Sequence, residues 1–438
     1  MSLTAVTAVV GAAAVAAVFF VRSRKGVLGI SRRAIAAGLM AKLIAGLLLY
    51  LVYTQHYTHR GTSDSFRYFD DAMVLNSYLG ERNDVWLRFF FGGNTTTDDL
   101  NDVNARLRAW QTTTRYGIAN DNPTIIRINM VIGLFSGGLY LLHVFWMCVL
   151  ALFGHLFLAR GLTDLIDRGA NATPVFVGSL VFPTVLFWGS GVLKEVPLIV
   201  GLGLFFFALS GGWRSDRRRW LALLPALMLL AFSKPYVWIT LAAPLIAFGI
   251  VRITRWKPVW VFPTVLVLAY GAAVNADAVY PPGDFLYILS KKQTDFYNVA
   301  EMNAAGSAVE VSPVAQTAVG FLADAPERLA LTYMRPWPWE AGGALQWAAV
   351  LENLLFLFLL GWMVTVWVRS RKHHPSALNA LLWLVFSFAL VFGLVAGSTV
   401  PVLGAMVRYK LPVLLLLGAA TGFAWNVKPT STHNLKRR

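Results

Sequence analysis

The sequence predicts an all-α fold, a polytopic transmembrane helix bundle of about eleven helices with two long external loops that contain interfacial helices. Three observations predict it. Hydrophobic residues make up 57% of the 438 and charged residues only 14%, where a soluble domain carries nearer ~25% charge. Apolar runs recur at the ~18–20 residues needed to cross a bilayer. Charge is also segregated: the short loops between those runs hold 21 Lys/Arg against 3 Asp/Glu on one side, and 16 against 18 on the other. The basic side is cytoplasmic by the positive-inside rule. The net charge of +16 is therefore a topology signal. A nucleic-acid partner is excluded, since no basic groove with interleaved aromatics appears.

The expected spans are 3–21, 34–53, 139–159, 173–190, 196–212, 220–233, 236–251, 258–276, 345–368, 377–397 and 411–426. The first has its charges after it, the reverse of a secretory signal, so it reads as a retained helix with the N-terminus outside. An odd number of spans then leaves the C-terminus in the cytoplasm, which agrees with the charge bias. The pair 220–233 and 236–251 is short and broken by Lys234-Pro235, which suits a hairpin or a re-entrant pair. The chain thus divides into an N-terminal helix and cytoplasmic loop (1–33), a membrane core (34–276) with the first external loop at 54–138, a lid-like external loop (277–344), and C-terminal helices with a basic tail (345–438). Structureless loops of this length are uncommon, so both should hold helices. Within the first, 65–78 and 124–135 read as helical and 94–102 as a solvated tip. The single cysteine, Cys148, lies in an apolar run and excludes an intrachain disulfide or a Cys-based metal site. His143 and His155 share a span about 120° out of register, which argues against a joint metal site.

Five polar constellations open to the external side. In Gly61 to Asp71, a helix puts Asp64, Arg67, Tyr68 and Asp71 on one face. A carboxylate there, beside an arginine, can deprotonate an acceptor hydroxyl; the plain alternative is a helix start with Thr62, Ser63 or Asp64 as N-cap. In Phe187 to Glu195 (FWGSGVLKE), Lys194 and Glu195 begin a helix at membrane depth, where ionisable groups are costly and have a task or a partner. The alternative is a Gly turn with a mutually satisfied pair. In Ser233-Lys234-Pro235-Tyr236, Lys234 either faces a ligand or snorkels to the interface. In Tyr333 to Glu340, two prolines hold an extended backbone, and Arg335 and Glu340 flank Trp337 and Trp339: a forked donor for phosphate beside indole faces that suit a sugar. In Met406 to Lys410, Arg408 and Lys410 put cations on the less basic side, where an anionic lipid headgroup is the sharper expectation. Glu352 lies inside a span beside Asn353.

On these residues the chain resembles the GT-C class of membrane glycosyltransferases, which includes protein mannosyltransferases and the aminoarabinose transferase of lipid A. The likeness is one of topology over about 34–344. Asp64 falls in the first external loop of that module, Lys194 and Glu195 in the second, and 277–344 takes the place of the lid. The Asp-Glu or Glu-Asp dipeptide common in the class is absent, and an extra helix precedes the module. The pieces FWGSGVLKE, RPWPWE and RYKLP are also similar to uncharacterised bacterial membrane proteins found among polysaccharide genes. The resemblance implies an inverting transfer, from a polyprenyl-phosphate-linked sugar donor to a glycan or lipid acceptor, at the outer face of a bacterial cytoplasmic membrane. Asp64 and Glu195 would be catalytic. Arg67, Tyr68, Asp71, Lys194, Lys234, Arg335, Trp337, Trp339, Glu340, Arg408 and Lys410 would bind substrate. The sequence requires no cofactor; the class is sometimes assisted by a divalent metal, and no metal ligand can be carried over. The alternatives are a lipid-linked oligosaccharide polymerase of the O-antigen type, and a transporter or lipid flippase.

Overall fold

The structure is a computed structural model that describes residues 26–56, 60–110, 121–167, 169–212, 216–302, 306–370 and 376–425. The expected span 3–21 lies outside these residues. Among them the protein is helical throughout, with two isolated β-bridges and no sheet. In chain order the α-helices are α1 (Arg32–Leu51), α2 (Asp64–Asn76), α3 (Asn83–Phe91), α4 (Asn101–Arg106), α5 (Asn122–Ser136), α6 (Tyr140–Ile166), α7 (Thr173–Gly178), α8 (Pro183–Phe187) and α9 (Glu195–Gly212). Then follow α10 (Leu223–Ser233), α11 (Pro235–Thr254), α12 (Pro258–Val274), α13 (Phe285–Met302), α14 (Ala318–Ala323), α15 (Ala325–Tyr333), α16 (Ala344–Ser370), α17 (Ser376–Thr399), α18 (Leu403–Tyr409) and α19 (Leu411–Trp425).

Six helices are long and apolar enough to span a membrane: α1 extended to Gln55, α6, α9, α11, α16 and α17. A seventh is made by α18 and α19 together, bent by 46° at Lys410. The described residues therefore carry six or seven candidate spans, not the larger number expected. The segment 173–190 is α7, a break, α8 and a 3₁₀ turn at Trp188–Ser190. Pro183 has no N–H and holds Phe182 in an extended conformation, which ends the preceding turn. Segment 220–233 begins as a 3₁₀ turn and becomes an 11-residue helix stopped by Pro235, and α12 has only 17 residues.

Glycine contacts give the direction of the helices. A Cβ at Gly203 would collide with the backbone of Gly154, and one at Gly161 with the backbone of Phe206. Residues 154 and 161 thus lie beside 203 and 206, so α6 and α9 run parallel in close contact. The chain between them must return across the same thickness, and the broken α7–α8 segment makes that return. It packs against α19, where Gly178 and Gly418 meet backbone to backbone. Two ends of the bundle follow. One carries the start of α9, the α10–α11 turn and the α18–α19 bend; the other carries the C-terminus of α6.

The first long loop is a folded layer. Helices α2 to α5 share an apolar core with α6, built on Tyr68, Phe69, Leu75, Val85, Phe89, Val103, Ile125 and Met130. Helices α2 and α5 fall where the 65–78 and 124–135 readings put them, and part of the expected loop tip is helical from Asp98 onward. The second long loop holds α13, α14 and α15, and α15 packs along α17.

Candidate functional site

Glu195 begins α9, where the unpaired N–H groups of the first turn favour a negative charge. Its side chain is fully buried and its partners come from far along the chain. Lys234 Nζ, in the α10–α11 turn, donates to Oε1 at 2.9 Å. Arg408, in α18, reaches Oε1 through Nε at 3.3 Å and Oε2 through Nη2 at 3.5 Å. The same guanidinium donates through Nη1 to Asp64 Oδ2 at 3.1 Å and lies 5.2 Å over the Trp188 ring. Four segments, carrying residues 64, 195, 234 and 408, therefore meet in one ion network. Within it Asp64 is the accessible carboxylate: its side chain is 39% exposed against 0% for Glu195. Lys234 is 6% exposed, so it pairs with Glu195 and does not snorkel.

Lys194 is not paired with its neighbour Glu195, because adjacent helical residues do not face one another. Its Nζ donates to Asp121 Oδ1 at 2.7 Å and Asn122 Oδ1 at 2.8 Å, and sits 5.7 Å from the Tyr68 ring. Tyr68 donates to the same Asn122 oxygen at 3.2 Å. Burial, with the charge of Asp64 behind it, pushes the Tyr68 hydroxyl well above its ordinary range. Arg67 and Asp71 serve the fold of the layer. Asp71 accepts the backbone N–H groups of Arg108, Ala109 and Trp110 at 2.8–2.9 Å, and Arg67 donates to the Arg108 carbonyl. Burial raises the Asp71 carboxyl, and the three N–H donors oppose that rise.

The Arg335–Glu340 segment forms a separate unit. Arg335 Nε and Nη2 both donate to Glu340 Oε1, at 2.9 and 2.6 Å, and Glu340 Oε2 accepts the Trp337 N–H at 2.8 Å. Burial works against the Glu340 carboxylate, but the Arg335 hydrogen bonds and the Trp337 N–H outweigh it and hold it below the usual range. Trp337 and Trp339 stack with centroids 5.4 Å apart and planes 9° off parallel, and Trp339 is 79% exposed. Asn353 ties this unit to the bundle by donating to the Met334 and Arg335 carbonyls, and its own oxygen accepts from Lys410. Lys410 is buried at the α18–α19 bend and lies 3.5 Å from Glu352, whose second oxygen accepts the Thr184 N–H at the start of α8. Lys410 therefore faces inward to Glu352 and Asn353.

Of the expected residues, Asp64, Glu195, Lys234 and Arg408 come together. Tyr68 and Lys194 stand beside them through Asp121 and Asn122, while Arg335, Trp337, Trp339 and Glu340 cluster on their own. Sequence reasoning missed Asp121 and Asn122 as partners. Their signal was Asp-Asn-Pro ahead of an apolar run, a helix start whose polar side chains are free to bond elsewhere.

The donor set does not fit a divalent cation. Asp64 and Glu195 are bridged by one guanidinium, and no group of three His, Cys, Asp or Glu is arranged to hold a metal among the described residues. His143 bonds Ser136 and Asn129, whereas His155 bonds Ser179. Comparisons of the chain with family models, with curated proteins and with solved structures give no match.

Proposed function

We propose that this multi-span helical membrane protein is a glycosyltransferase of the GT-C kind, moving a sugar from a polyprenyl-phosphate-linked donor to a glycan or lipid acceptor outside the cytoplasmic membrane. One observation carries the reading: Arg408 joins an accessible carboxylate, Asp64, to a buried carboxylate and a second cation, Glu195 and Lys234, at one end of the bundle. Such a transfer needs a base at an open position and fixed cations where a phosphate leaves. Only one Asp64 oxygen is hydrogen-bonded to Arg408, which leaves the other for an acceptor hydroxyl. The acceptor oxygen attacks the anomeric carbon, its proton passes to Asp64, and the C–O bond to phosphate breaks with its electron pair on the phosphate. Arg408 and Lys234 stabilise that charge. Glu195, fully buried, holds the two cations in place. The stacked Trp337 and Trp339 offer a face for a sugar ring, and Arg335 is held beside them by Glu340.

The test is transfer in proteoliposomes loaded with a polyprenyl-phosphate sugar, with products read by mass spectrometry. Asp64→Asn should lower transfer by about 100-fold or more, as loss of a general base does. Full transfer by that variant would sink the assignment. An oligosaccharide polymerase of the O-antigen type shares this chemistry and would be distinguished by product length.

A transporter or lipid flippase is the second reading, and one observation favours it. The return segment α7–α8 is discontinuous, and buried ionisable groups meet its breaks: Lys42 donates to the Gly189 carbonyl at 2.9 Å and Glu352 accepts the Thr184 N–H. Broken helices with charges at their ends are how transporters hold substrate. Flux across sealed vesicles with no covalent product would favour it.

A further inference from the structure

The Ser233-Lys234-Pro235-Tyr236 turn contains polar atoms whose partners are missing. Ser233 is fully buried, and its Oγ has no hydrogen-bond partner. The Oη of Tyr236 is likewise buried and unpartnered. Native proteins seldom leave buried hydroxyls in this state, because each costs about 1–3 kcal/mol. Between the two stands Lys234, with its Nζ on Glu195 and 5.1 Å from the Tyr409 ring. Pro235 starts α11, a helix of 20 residues whose N-terminus no side chain caps. The positive end of that helix faces the turn.

Two hydroxyl donors, an ammonium and a helix N-terminus thus share four consecutive residues. The other walls make the turn rigid. Tyr236 stacks on Tyr409 at 5.4 Å, and the Phe232 carbonyl accepts from Thr124 of the folded layer at 2.8 Å. The one carboxylate on Lys234 has a second holder, since Arg408 already contacts both oxygens of Glu195. Lys234 can therefore turn to an incoming anion while Glu195 stays paired.

We propose that this turn is an oxyanion site that binds a phosphate group, with Ser233 Oγ, Tyr236 Oη and Lys234 Nζ as its donors. Two hydroxyls and an ammonium with three rotatable N–H groups, all on one turn, suit a phosphate, which accepts from several sides, better than a planar carboxylate. The inference deepens the transfer reading, on which the choice of a lipid-linked phosphate rests, and places the phosphate at Lys234 and not at Lys194 or Arg335, whose ammonium and guanidinium are held by Asp121 and Glu340.

The test uses the full chain in lipid nanodiscs, titrated separately with inorganic phosphate, inorganic diphosphate and a short-chain isoprenyl phosphate. Saturable binding of at least one probe is expected. Ser233→Ala and Tyr236→Phe should each weaken it about 10- to 100-fold, the loss of one hydrogen bond to a charged group, and the double variant should lose more. Both are mild enough to keep the fold. Tighter binding of the isoprenyl phosphate identifies a lipid headgroup as the source; equal or tighter binding of the inorganic anions identifies free phosphate. No binding of any probe, or unchanged affinity in the double variant, overturns the proposal. Asp64→Asn, which takes a negative charge away from Arg408, should not weaken probe binding. Binding with no transfer in any assay would therefore sink the enzymatic reading alone, and transfer indifferent to Ser233 and Tyr236 would sink this one.

Discussion

Two buried ion networks lie at opposite ends of the bundle, and they are built differently. At the C-terminus of α6, Asp164 accepts from Arg160, from Arg219 Nη1 at 2.7 Å and from the Gly169 N–H at 3.2 Å. Arg160 also donates to the Leu28 and Ala170 carbonyls, and Arg219 to Ser210 and Asp216. Most of these partners are close in sequence, and nearly every charged donor there has an acceptor. Among the described residues, the one buried side-chain atom beside it without a partner is the Thr163 hydroxyl. At the other end, Asp64 and Arg408 are 344 residues apart. Ser63, Ser233 and Tyr236 stand next to the charges with buried hydroxyls that bond to nothing among the described residues. The contrast teaches that a saturated network joins helices, whereas one with reserve donors and an accessible carboxylate is arranged for something else to arrive.

The largest expected effect breaks the saturated end. Asp164→Ala leaves Arg160 without its carboxylate in a buried place and Arg219 with Asp216 alone, and removing one partner of a buried pair costs about 3–5 kcal/mol. Thermal unfolding in detergent should show the loss, and any functional loss should follow the folded fraction alone. A variant as stable as the parent would mean that this network is not the staple it resembles.

At the other end the pattern should invert. Asp64→Asn removes a charge from a side chain that is 39% exposed, so stability should change by less than ~1 kcal/mol, as for partly exposed ion pairs. Transfer, by contrast, should fall by about 100-fold or more. A large melting shift with transfer intact would place Asp64 in the class of Asp164 and remove the comparison.

The same contrast marks what could be read from sequence. Spans 34–53, 139–159, 196–212, 236–251, 345–368 and 377–397 appear as long helices, because continuous hydropathy over some twenty residues is a property of local sequence. The segment 173–190 has the same composition but is divided at Pro183, and hydropathy does not register a backbone break. Glu195 was legible as a charge at membrane depth, which is unusual enough to single it out, and Asp64, Lys234 and Arg408 as charges at the external ends of spans. Their grouping was not. Lys194 and Glu195 are neighbours in sequence that turn to different partners, and which carboxylate meets which cation depends on helix packing. Asp71 also resembled a site residue, yet it anchors a backbone turn nearly forty residues away.

A smaller effect separates the Trp337–Trp339 unit from both networks. Glu340 is held below its ordinary range by Arg335 and the Trp337 N–H. Its contribution to stability is therefore present above the unfolded carboxylate pKa of about 4.3 and disappears as pH falls through the lower folded value. The pair is partly exposed, at 23% and 22%, so solvent screening keeps it near ~0.5–1 kcal/mol. Glu340→Gln should lower the melting temperature slightly at pH 7, and the difference from wild type should shrink below pH 4. A pH-independent difference would show that the segment is held by its prolines and its indole stack.

The smallest effect is the sharpest test of reserve donors. Ser63 is the N-cap residue of α2, yet its hydroxyl makes no capping bond and is buried without a partner. A serine that caps a helix costs about 1 kcal/mol when changed to alanine. Removing a buried hydroxyl that bonds to nothing relieves its lost hydration, about 1–3 kcal/mol, and leaves a small void that offsets much of that gain, so the change should be neutral or stabilising. Ser63→Ala should thus match or slightly exceed wild type in thermal unfolding when no substrate is present. Loss of about 1 kcal/mol would mean that the hydroxyl is satisfied in the resting protein, and Ser63 would then join the helix caps and leave the reserve donors.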